Sequence, residues 1–271
     1  MSTAHFRFYA ELNDFLPAAR RFREFEHRFQ LTPAIKDVIE GLGPPHTEVD
    51  LILVDGTSVD FEYRLQDGDR VSVYPVFESV DIASEVRVRP QPLRDTRFIC
   101  DANLGKLARY LRLLGFDTSY RRDADDADLA DASREQRRVL LTRDVGVLKR
   151  SSVTHGYYVR ADEPESQVIE VLVRFDLADG MTPFERCPEC NGELHSVPKE
   201  EIQDRLEPGT RSSYEEFRRC DGCERVYWEG AHFKRLVALV ERVRQAAAAA
   251  QIPAGGGDAS GGGAPAPFNR K

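Results

Sequence analysis

The hydrophobic positions of residues 1–82 change from a strand period to a helix period and back. Pro33–Gly41 carries apolar residues at helical spacing between an early proline and a terminating glycine. Asp55-Gly56 is a hairpin turn signal directly after an apolar run. The predicted strands are His5–Tyr9, Val49–Val54 and Arg70–Tyr74. This order predicts a small β-grasp domain.

Residues 97–176 alternate short apolar runs with helical patterns. The predicted strands are 98–100, 116–120, 138–142 and 156–159. The predicted helices are 104–114, 126–136, 145–150 and one that ends near 175. Strands separated by helical crossovers predict a parallel sheet covered by helices on both faces.

The remaining segments complete an α/β chain with several domains. Residues 83–96 contain two prolines and alternating charges, which is typical of a linker. Residues 177–245 contain two Cys-x-x-Cys pairs and a helical pattern at 233–244. Residues 246–271 are rich in Ala, Gly and Pro, and we expect a disordered tail there.

Composition and charge narrow the class of protein. The 271 residues carry a net charge of −8, 31% charged residues and a mean hydropathy of −0.47. No apolar run approaches the ~20 residues that cross a bilayer, and charges interrupt the N-terminus where a signal peptide needs its apolar core. We therefore expect a cytoplasmic protein without a membrane partner.

The acidic total alone argues against nucleic acid, because phosphate binding depends on basic charge. The charge is unevenly distributed, however. Residues 1–84 hold 8 basic and 15 acidic residues, whereas residues 85–176 hold 17 and 16. The excess acid belongs mainly to the N-terminal domain, so the central domain remains compatible with an RNA partner.

Acidic residues follow the predicted parallel strands. Asp101 directly follows the first strand of the central domain, Asp144 lies just past the third, and Asp123–Asp128 begins the second helix. Ligands of an open parallel sheet collect beyond the carboxyl ends of its strands, so these carboxylates should share one edge. Clustered carboxylates need a cation, and hard oxygen ligands suit Mg²⁺ or Mn²⁺. The pattern predicts a metal site that includes Asp101 and Asp144.

Each acidic residue also has a purely structural interpretation. Asp125 or Asp126 could cap the second helix, and Asp144 could cap the short helix that follows it. Asp101 has no capping role unless a helix starts immediately after it.

Polar and basic residues near the same edge suit a phosphodiester substrate. Lys106, Arg109 and Arg112 share the side of the first central helix that lies opposite its leucines, although a solvated helix face would explain them too. Asn103 is placed to hydrogen-bond a phosphate or a metal-bound water. The candidate substrate-binding residues are Asn103, Lys106, Arg109, Arg112, Arg143 and Lys149.

Four of the five cysteines form two pairs, Cys187/Cys190 and Cys220/Cys223, separated by 29 residues. Two such knuckles complete a closed tetrahedron of thiolates, which predicts a structural Zn²⁺ site. A redox dithiol is the alternative, but it would need only one motif. The aromatic side chains at 227, 228 and 233 could stack on bases or pack against the helix at 233–244.

Four segments carry a resemblance to a known family. They are FICDANLGKLARYLRLLGFDTSYRRDADDADL, RVLLTRDVGVLKR, RCPECNGEL and RCDGCERVYWEGAHFKRL. Residues 97–230 resemble the Mut-seven C-terminal RNase family, a PIN-like nuclease domain followed by a zinc ribbon, whose relatives also carry an N-terminal ubiquitin-like domain. The resemblance implies catalytic acids at Asp101, at Asp126 or Asp128, and at Asp144. It also implies metal-dependent hydrolysis in which water attacks phosphorus and leaves a 3′-hydroxyl.

The N-terminal segment LILVDGTSVD…RLQDGDRVSVYP resembles the ubiquitin-like sulfur-carrier group. That group acts through a C-terminal Gly-Gly, whereas this domain ends Pro75-Val-Phe-Glu-Ser79 and continues into the linker. We therefore expect a recognition or packing module, with a possible protein partner, rather than a sulfur carrier.

The leading functional hypothesis is a metal-dependent ribonuclease with RNA as its partner. The alternative is a non-catalytic RNA- or ribosome-binding adaptor in which the acids are only caps. A phosphotransferase with an aspartyl nucleophile ranks lower, because Asp101-Ala102-Asn103 lacks the second acid or helper hydroxyl that such a site needs. The RNA substrate, the choice between endo- and exonuclease, and the oligomeric state do not follow from these residues.

Overall fold

The computed structural model describes residues 1–75, 88, 93, 95–230 and 233–251. Most of the predicted linker, and the predicted tail beyond residue 251, lie outside the described residues. The described chain forms a mixed α/β structure with a five-stranded, a four-stranded and a three-stranded sheet, which confirms the predicted fold class.

The N-terminal unit is a mixed sheet with one helix across it. Its elements are β1 Ser2–Phe8, β2 Phe25–Phe29, α1 Ile35–Leu42, β3 Leu51–Val54, β4 Thr57–Val59 and β5 Arg70–Tyr74, with 3-10 turns at Ala10–Phe15, Ala18–Arg20 and His46–Glu48. The strand order is β2-β1-β5-β3-β4, in which β1 and β5 pair in parallel and the other pairs are antiparallel. This is the predicted β-grasp arrangement.

The hairpin between β3 and β4 shows why the local sequence specifies this fold. Asp55 and Gly56 have φ values of 50° and 83°, the two left-handed residues that a tight hairpin turn requires. Alternate residues of the strands then point inward, so that Phe6, Ile52 and Val73 meet α1 in one fully buried core. The strand β2 was not predicted, although Phe25, His27 and Phe29 alternate with the exposed Glu26 and Arg28 as in a half-buried strand.

The central unit is an all-parallel sheet between two helical layers. Its elements are β6 Phe98–Cys100, α2 Gly105–Leu113, β7 Thr118–Tyr120, α3 Asp126–Glu135, β8 Val139–Thr142, α4 Val145–Leu148, β9 Gly156–Tyr158 and α5 Pro164–Arg174, with a 3-10 turn at Ala102–Leu104. The strand order is β7-β6-β8-β9. Phe98 and Leu141 pack under α2 and α5, whereas Ile99 and Leu140 pack under α3 and α4. The continuous apolar strands are those of a sheet buried on both faces.

The third unit is a small antiparallel sheet followed by a long helix. Its elements are β10 Leu194–Val197, α6 Lys199–Ile202, α7 Pro208–Ser213, β11 Phe217–Cys220, β12 Val226–Trp228 and α8 Phe233–Gln251. The strand order is β10-β11-β12. Helices α6 and α7 lie between β10 and β11 in sequence, and Ile202 shares a small core with Phe217.

Helix α8 packs on the central unit rather than on the ribbon. Val243 and Ala247 are fully or almost fully buried in the core that α2 and α5 share, and Arg242 makes two hydrogen bonds to Glu165 of α5. The helix continues to Gln251, so the predicted start of a disordered tail at residue 246 lies inside it. Among the described residues, no helix is both long and apolar enough to cross a lipid bilayer.

The β-grasp unit is joined to the exposed edge of the central sheet through a buried carboxylate. Glu48 is 1% exposed; it accepts hydrogen bonds from the Tyr158 amide at 2.7 Å and from the Arg160 guanidinium at 3.1 Å. Burial alone would lower the pKa of Arg160, but the Glu48 carboxylate raises it above its ordinary value. Phe15 packs edge-on against Tyr158 in the same interface. The β-grasp unit therefore makes a specific intramolecular contact.

Candidate active site and cysteine cluster

Asp101 directly follows β6 and lies in a buried position at the carboxyl edge of the parallel sheet. Asp101 is 8% exposed, and its Oδ2 accepts a hydrogen bond of 2.7 Å from the Thr142 hydroxyl. The 3-10 turn starts immediately after Asp101, but the carboxylate makes no capping hydrogen bond to it. The capping explanation therefore does not account for this side chain.

Asp144 follows β8 at the same edge and is tied to Asp101 through one hydroxyl. The Thr142 oxygen that donates to Asp101 also accepts from the Asp144 amide at 2.9 Å. Thr142 is completely buried, so its hydrogen bond to Asp101 is shielded from water, whereas the bond from the Asp144 amide is only partly buried. Asp144 Oδ1 accepts from Gly146 N at 2.6 Å and caps α4, as the structural interpretation predicted.

The acids at the start of α3 lie apart from this bridge. Asp125 caps the helix, because its side chain accepts from the Asp128 amide at 2.8 Å. Asp126 and Asp128 are exposed in the first turn. Within the described residues, neither of them joins Asp101 and Asp144 in a group of three ligands close enough to hold an ion.

Four of the predicted substrate-binding residues lie in positions that solvent reaches. Asn103 and Lys106 are exposed, and the structure gives their side chains no hydrogen bond or ion pair within the described range. Arg109 is exposed and forms an ion pair with Glu189. Arg143 is half-buried and is held by the Ala161 carbonyl and the Asp162 carboxylate.

Arg112 does not lie on the solvent face that the helical spacing predicted. It is 5% exposed, and its guanidinium donates to the carbonyls of Thr118, Pro188 and Glu189 at 2.8, 3.2 and 2.8 Å. At 100° per residue Arg112 lies about 120° around α2 from Lys106, which turns it under the first cysteine knuckle. Burial lowers the pKa of Arg112, although an arginine remains charged. The prediction of substrate binding by Arg112 is corrected to a structural role between two units.

Lys149 faces the β-grasp unit instead of the carboxylate edge. Its ammonium donates to the Glu40 carbonyl at 2.5 Å, and burial lowers its pKa. Nearby, His46 bridges Glu40 and the Val153 carbonyl. The predicted role of Lys149 in substrate binding is therefore replaced by a role in the interface between the two units.

The four paired cysteines converge on one point. The Sγ atoms of Cys187, Cys190, Cys220 and Cys223 all lie within 4.8 Å of one another. Thiolates around a tetrahedral zinc ion, with Zn–S bonds of about 2.3 Å, are separated by about 3.8 Å. The distances of 3.7 Å between Cys187 and Cys223 and of 3.3 Å between Cys190 and Cys220 are compatible with this geometry.

Backbone groups and a tyrosine surround these thiols. Gly192 N and Gly222 N donate to the Sγ atoms of Cys190 and Cys220 at 3.5 and 3.3 Å. A Cβ at residue 192 would lie 2.8 Å from Cys220 Sγ, so only glycine fits there. Burial raises the pKa of Cys187, but the Tyr227 hydroxyl at 3.0 Å and neighbouring backbone groups together lower it to about 7.

Comparisons with known proteins show the family of the chain. The model of the family described as Mut7-C RNAse domain matches residues 96–240, which is more than half of the chain. The chain belongs to the Mut7-C RNAse domain family. The Mut7-C ubiquitin model matches residues 1–81. These matches confirm the predicted family and the N-terminal ubiquitin-like domain, and they support a ribonuclease-type function.

Other comparisons add little to the family assignment. A solved structure, the putative molybdopterin converting factor, subunit 1, from Pyrococcus furiosus, has 22% identity over 28% of this chain and 100% of that chain. Its TM-score is 0.23, which is too low to indicate a shared overall fold. A search of curated proteins finds no match.

The Mut7-C domain is held together by a polar contact between its parallel sheet and its ribbon. Asn191 donates to Asp117 at 2.7 Å and accepts from the Thr118 amide at 2.9 Å. Arg138 binds both oxygens of Asp117, at 2.7 and 3.2 Å. Burial alone would raise the pKa of Asp117, but the hydrogen bonds from Arg138 and Asn191 lower it.

A cleft of about 420 Å³ separates α2 from the ribbon of the Mut7-C domain. Its lining includes Arg109, Arg225 and Trp228. Trp228 is 39% exposed. Phe233 instead packs on Phe184, with ring centroids 4.7 Å apart. Of the aromatic residues near the ribbon, Tyr227 and Trp228 therefore line the cleft, whereas Phe233 does not.

Thr142 is the residue of the site that sequence reasoning missed. A threonine at the end of a buried strand is ordinary, and only the pairing of β6 with β8 places its hydroxyl beside Asp101. The available signal was its position two residues before Asp144, on a strand predicted to be apolar.

Proposed function

We propose that this Mut7-C protein hydrolyses RNA phosphodiester bonds with the help of Mg²⁺ or Mn²⁺ held by Asp101 and Asp144. The observation that supports the proposal best is the Thr142 bridge, which fixes two carboxylate-bearing residues at the ends of adjacent parallel strands. Such strand ends are where ligands bind to open parallel sheets.

The donor set fits a hard divalent cation. Each carboxylate uses one oxygen within the protein, Asp101 Oδ2 with Thr142 and Asp144 Oδ1 with Gly146. Within the described residues, the second oxygen of each accepts no hydrogen bond, so each can serve as a ligand. Mg²⁺ commonly binds through one or two carboxylates, waters and substrate phosphates, so a third protein ligand is not essential. Such an ion, when bound, polarises the scissile phosphate and activates water for attack.

The residues of this chain would orient the substrate around the two carboxylates. Thr142 holds the Asp101 carboxylate in one orientation. Asn103 and Lys106 lie on the turn and helix that follow Asp101, where their exposed side chains can contact the RNA backbone. Arg109 can do so by exchanging Glu189 for a phosphate. Arg143, held by Asp162, contributes positive charge beside Asp144.

The experiment compares RNA cleavage by the full chain with that of Asp101→Asn and Asp144→Asn. We expect at least a 100-fold loss in each variant, because each removes an anionic ligand while leaving a side chain of the same shape. Full activity in the double variant, in protein free of contaminating nuclease, would refute the proposal.

The contribution of α3 to catalysis is tested in the same assay. The family resemblance places a middle acid at Asp126 or Asp128, and both are exposed. Asp131→Asn is the matched control, because Asp131 is an exposed acid on the same helix whose partner is Arg134. We expect Asp126→Asn or Asp128→Asn, but not Asp131→Asn, to lower kcat.

The cysteine cluster is proposed to hold a structural Zn²⁺. Four thiols fill a tetrahedron, so no position remains for a substrate. The knuckle at Cys187–Cys190 also supplies the carbonyls that receive Arg112, which links zinc binding to the docking of the ribbon on the parallel sheet.

A non-catalytic RNA- or ribosome-binding adaptor remains the second candidate. The observation that favours it is the cap that Asp144 places on α4, which gives this acid a structural reason to exist. RNA binding without metal-dependent turnover on single-stranded or structured RNA would favour the adaptor. A protein partner for the ubiquitin-like domain is compatible with either function.

A further inference from the structure

The β-grasp unit displays one aromatic side chain between arginines. We call residues Arg20–Arg23 the Phe22 loop. Phe22 is 70% exposed and has a φ of 57°, a left-handed conformation that residues other than glycine rarely adopt. A large apolar ring in this exposed and unfavourable position is typical of a binding element.

A buried amide holds the loop in this conformation. Asn13 is 1% exposed; its Oδ1 accepts from the Phe22 amide at 2.7 Å, and its Nδ2 donates to the Phe8 and Ala10 carbonyls at 2.9 and 3.0 Å. Arg21 Nε donates to the Leu16 carbonyl at 2.8 Å. The exposed ring is thus presented by a fixed framework, which lowers the entropy lost when a ligand binds.

The positive charges of the loop have no carboxylate partners within the described residues. Arg20 lies over the Phe25 ring, and Arg23 makes neither a hydrogen bond nor an ion pair there. The adjacent acids are engaged elsewhere, Glu24 with Arg70 and Glu26 with Arg28. Three of the eight basic residues of residues 1–84 therefore concentrate beside one exposed ring.

The cleft beside Trp228 is a weaker candidate for the same kind of ligand. Its Arg109 and Arg225 both pair with Glu189, and a phosphate would have to displace that carboxylate. The Phe22 loop requires no such exchange.

The loop belongs to a segment that contacts the carboxyl edge of the parallel sheet. Arg160 follows β9 at that edge, forms an ion pair with Asp14 at 3.4 Å and lies over the Phe15 ring at 5.4 Å. Asp101 and Asp144 follow their own strands at the same edge, because all four strands are parallel. The segment that leads into the Phe22 loop is therefore anchored on the side of the sheet where the proposed chemistry takes place.

We propose that the Phe22 loop binds single-stranded RNA, with a base stacked on Phe22 and phosphates contacted by Arg21 and Arg23. Stacking on an aromatic ring tolerates any base, and arginines follow the backbone. This inference rests on the proposed ribonuclease function for its choice of RNA as the ligand. It gives the ubiquitin-like domain a part in holding the substrate.

The test measures binding of a fluorescently labelled oligouridine to the full chain carrying Asp101→Asn, which keeps the RNA intact. Phe22→Ala in that chain should weaken binding about 5- to 150-fold, the range of one lost stacking contact. The matched control is Leu31→Ala. Leu31 lies in the same domain, is 91% exposed and has a φ of 64°, but it is flanked by no arginine, and its replacement should leave affinity unchanged.

A second pair of variants separates charge from stacking. Arg23→Gln should lower the slope of log affinity against log salt by about 0.7, the value for one lost phosphate contact on a single strand. Arg64→Gln removes the same charge from an exposed position of the same domain and should not change the slope. Phe22→Ala should weaken binding without changing the slope.

Equal affinities for Phe22→Ala and Leu31→Ala, in variants with unchanged thermal unfolding, would overturn the inference. Loop-dependent binding of polyglutamate with loop-independent binding of RNA would also overturn it and would assign the loop to an acidic protein. The ribonuclease proposal is tested separately, by incubating RNA with the unmodified chain. RNA that stays intact would refute that proposal. That result would leave the binding comparison unaffected.

Discussion

The Thr142 hydroxyl is the most informative position to perturb. Thr142→Val removes a hydrogen bond to a charged group, which contributes roughly 1.5–3 kcal/mol, and leaves the Asp144 amide without its acceptor. Asp144 is exposed, so water can replace part of the second bond. We expect a loss of about 2–4 kcal/mol in the free energy of unfolding.

The expected loss of activity is about 10- to 100-fold, as for other residues that orient a metal ligand. Thr142→Ser is the matched control, because it keeps the hydroxyl and removes one buried methyl group, at about 1 kcal/mol. Urea unfolding and kcat for RNA cleavage are measured on all three chains. Wild-type kcat in Thr142→Val, or equal losses of kcat in the valine and serine variants, would refute the positioning role.

Three further predictions concern a contact between two units, an ion pair of the central unit and the cysteine cluster. A double-mutant cycle of Glu48→Gln and Arg160→Gln should give a coupling of about 1–3 kcal/mol in urea unfolding, because Glu48 is buried and the Arg160 side chain is half-buried. Additive effects would contradict the contact. Asp117→Asn should cost roughly 1–3 kcal/mol at neutral pH by weakening the pairing with Arg138. The pKa of Asp117 is lowered on folding, so its stabilising effect is present above the ordinary pKa of about 3.9 and disappears as the pH falls through the pKa of the folded state. The free energies of unfolding of the wild-type and Asp117→Asn chains should therefore converge in acid. A difference that stays constant with pH would contradict this prediction. Cys190→Ser should reduce the bound zinc measured by elemental analysis and lower the Tm, and full zinc content would argue against the Cys₄ site.

The strands and helices of the central unit followed from local patterns because each pattern had one consistent interpretation. Phe98–Cys100 is buried on both faces, and its apolar run is as continuous as that environment requires. The turn at Asp55-Gly56 needs left-handed residues, and few dipeptides supply them. Such features depend on neighbours in sequence, so the sequence alone was sufficient.

The errors concern contacts between residues that are distant in sequence. The helical spacing of α2 correctly indicated its leucine face, but it contains no information on the cysteine knuckle that covers Arg112. Lys149 flanks Asp144 in sequence, yet its side chain reaches Glu40, 109 residues away. The role of Thr142 depends on the register between β6 and β8, which no local pattern specifies. Candidate acids could thus be found from the sequence, but their partners could not.

The central claim is that Asp101 and Asp144 support attack of water on the phosphodiester. Analysis of the cleavage ends tests it most directly, using RNA cut by the full chain in Mn²⁺ with the Asp101→Asn chain as the control. The account predicts 5′-phosphate and 3′-hydroxyl ends, continued cleavage where the scissile nucleotide is 2′-deoxy, and no product from Asp101→Asn. Ends bearing a 2′,3′-cyclic phosphate, with cleavage blocked by the 2′-deoxy substitution, would contradict it.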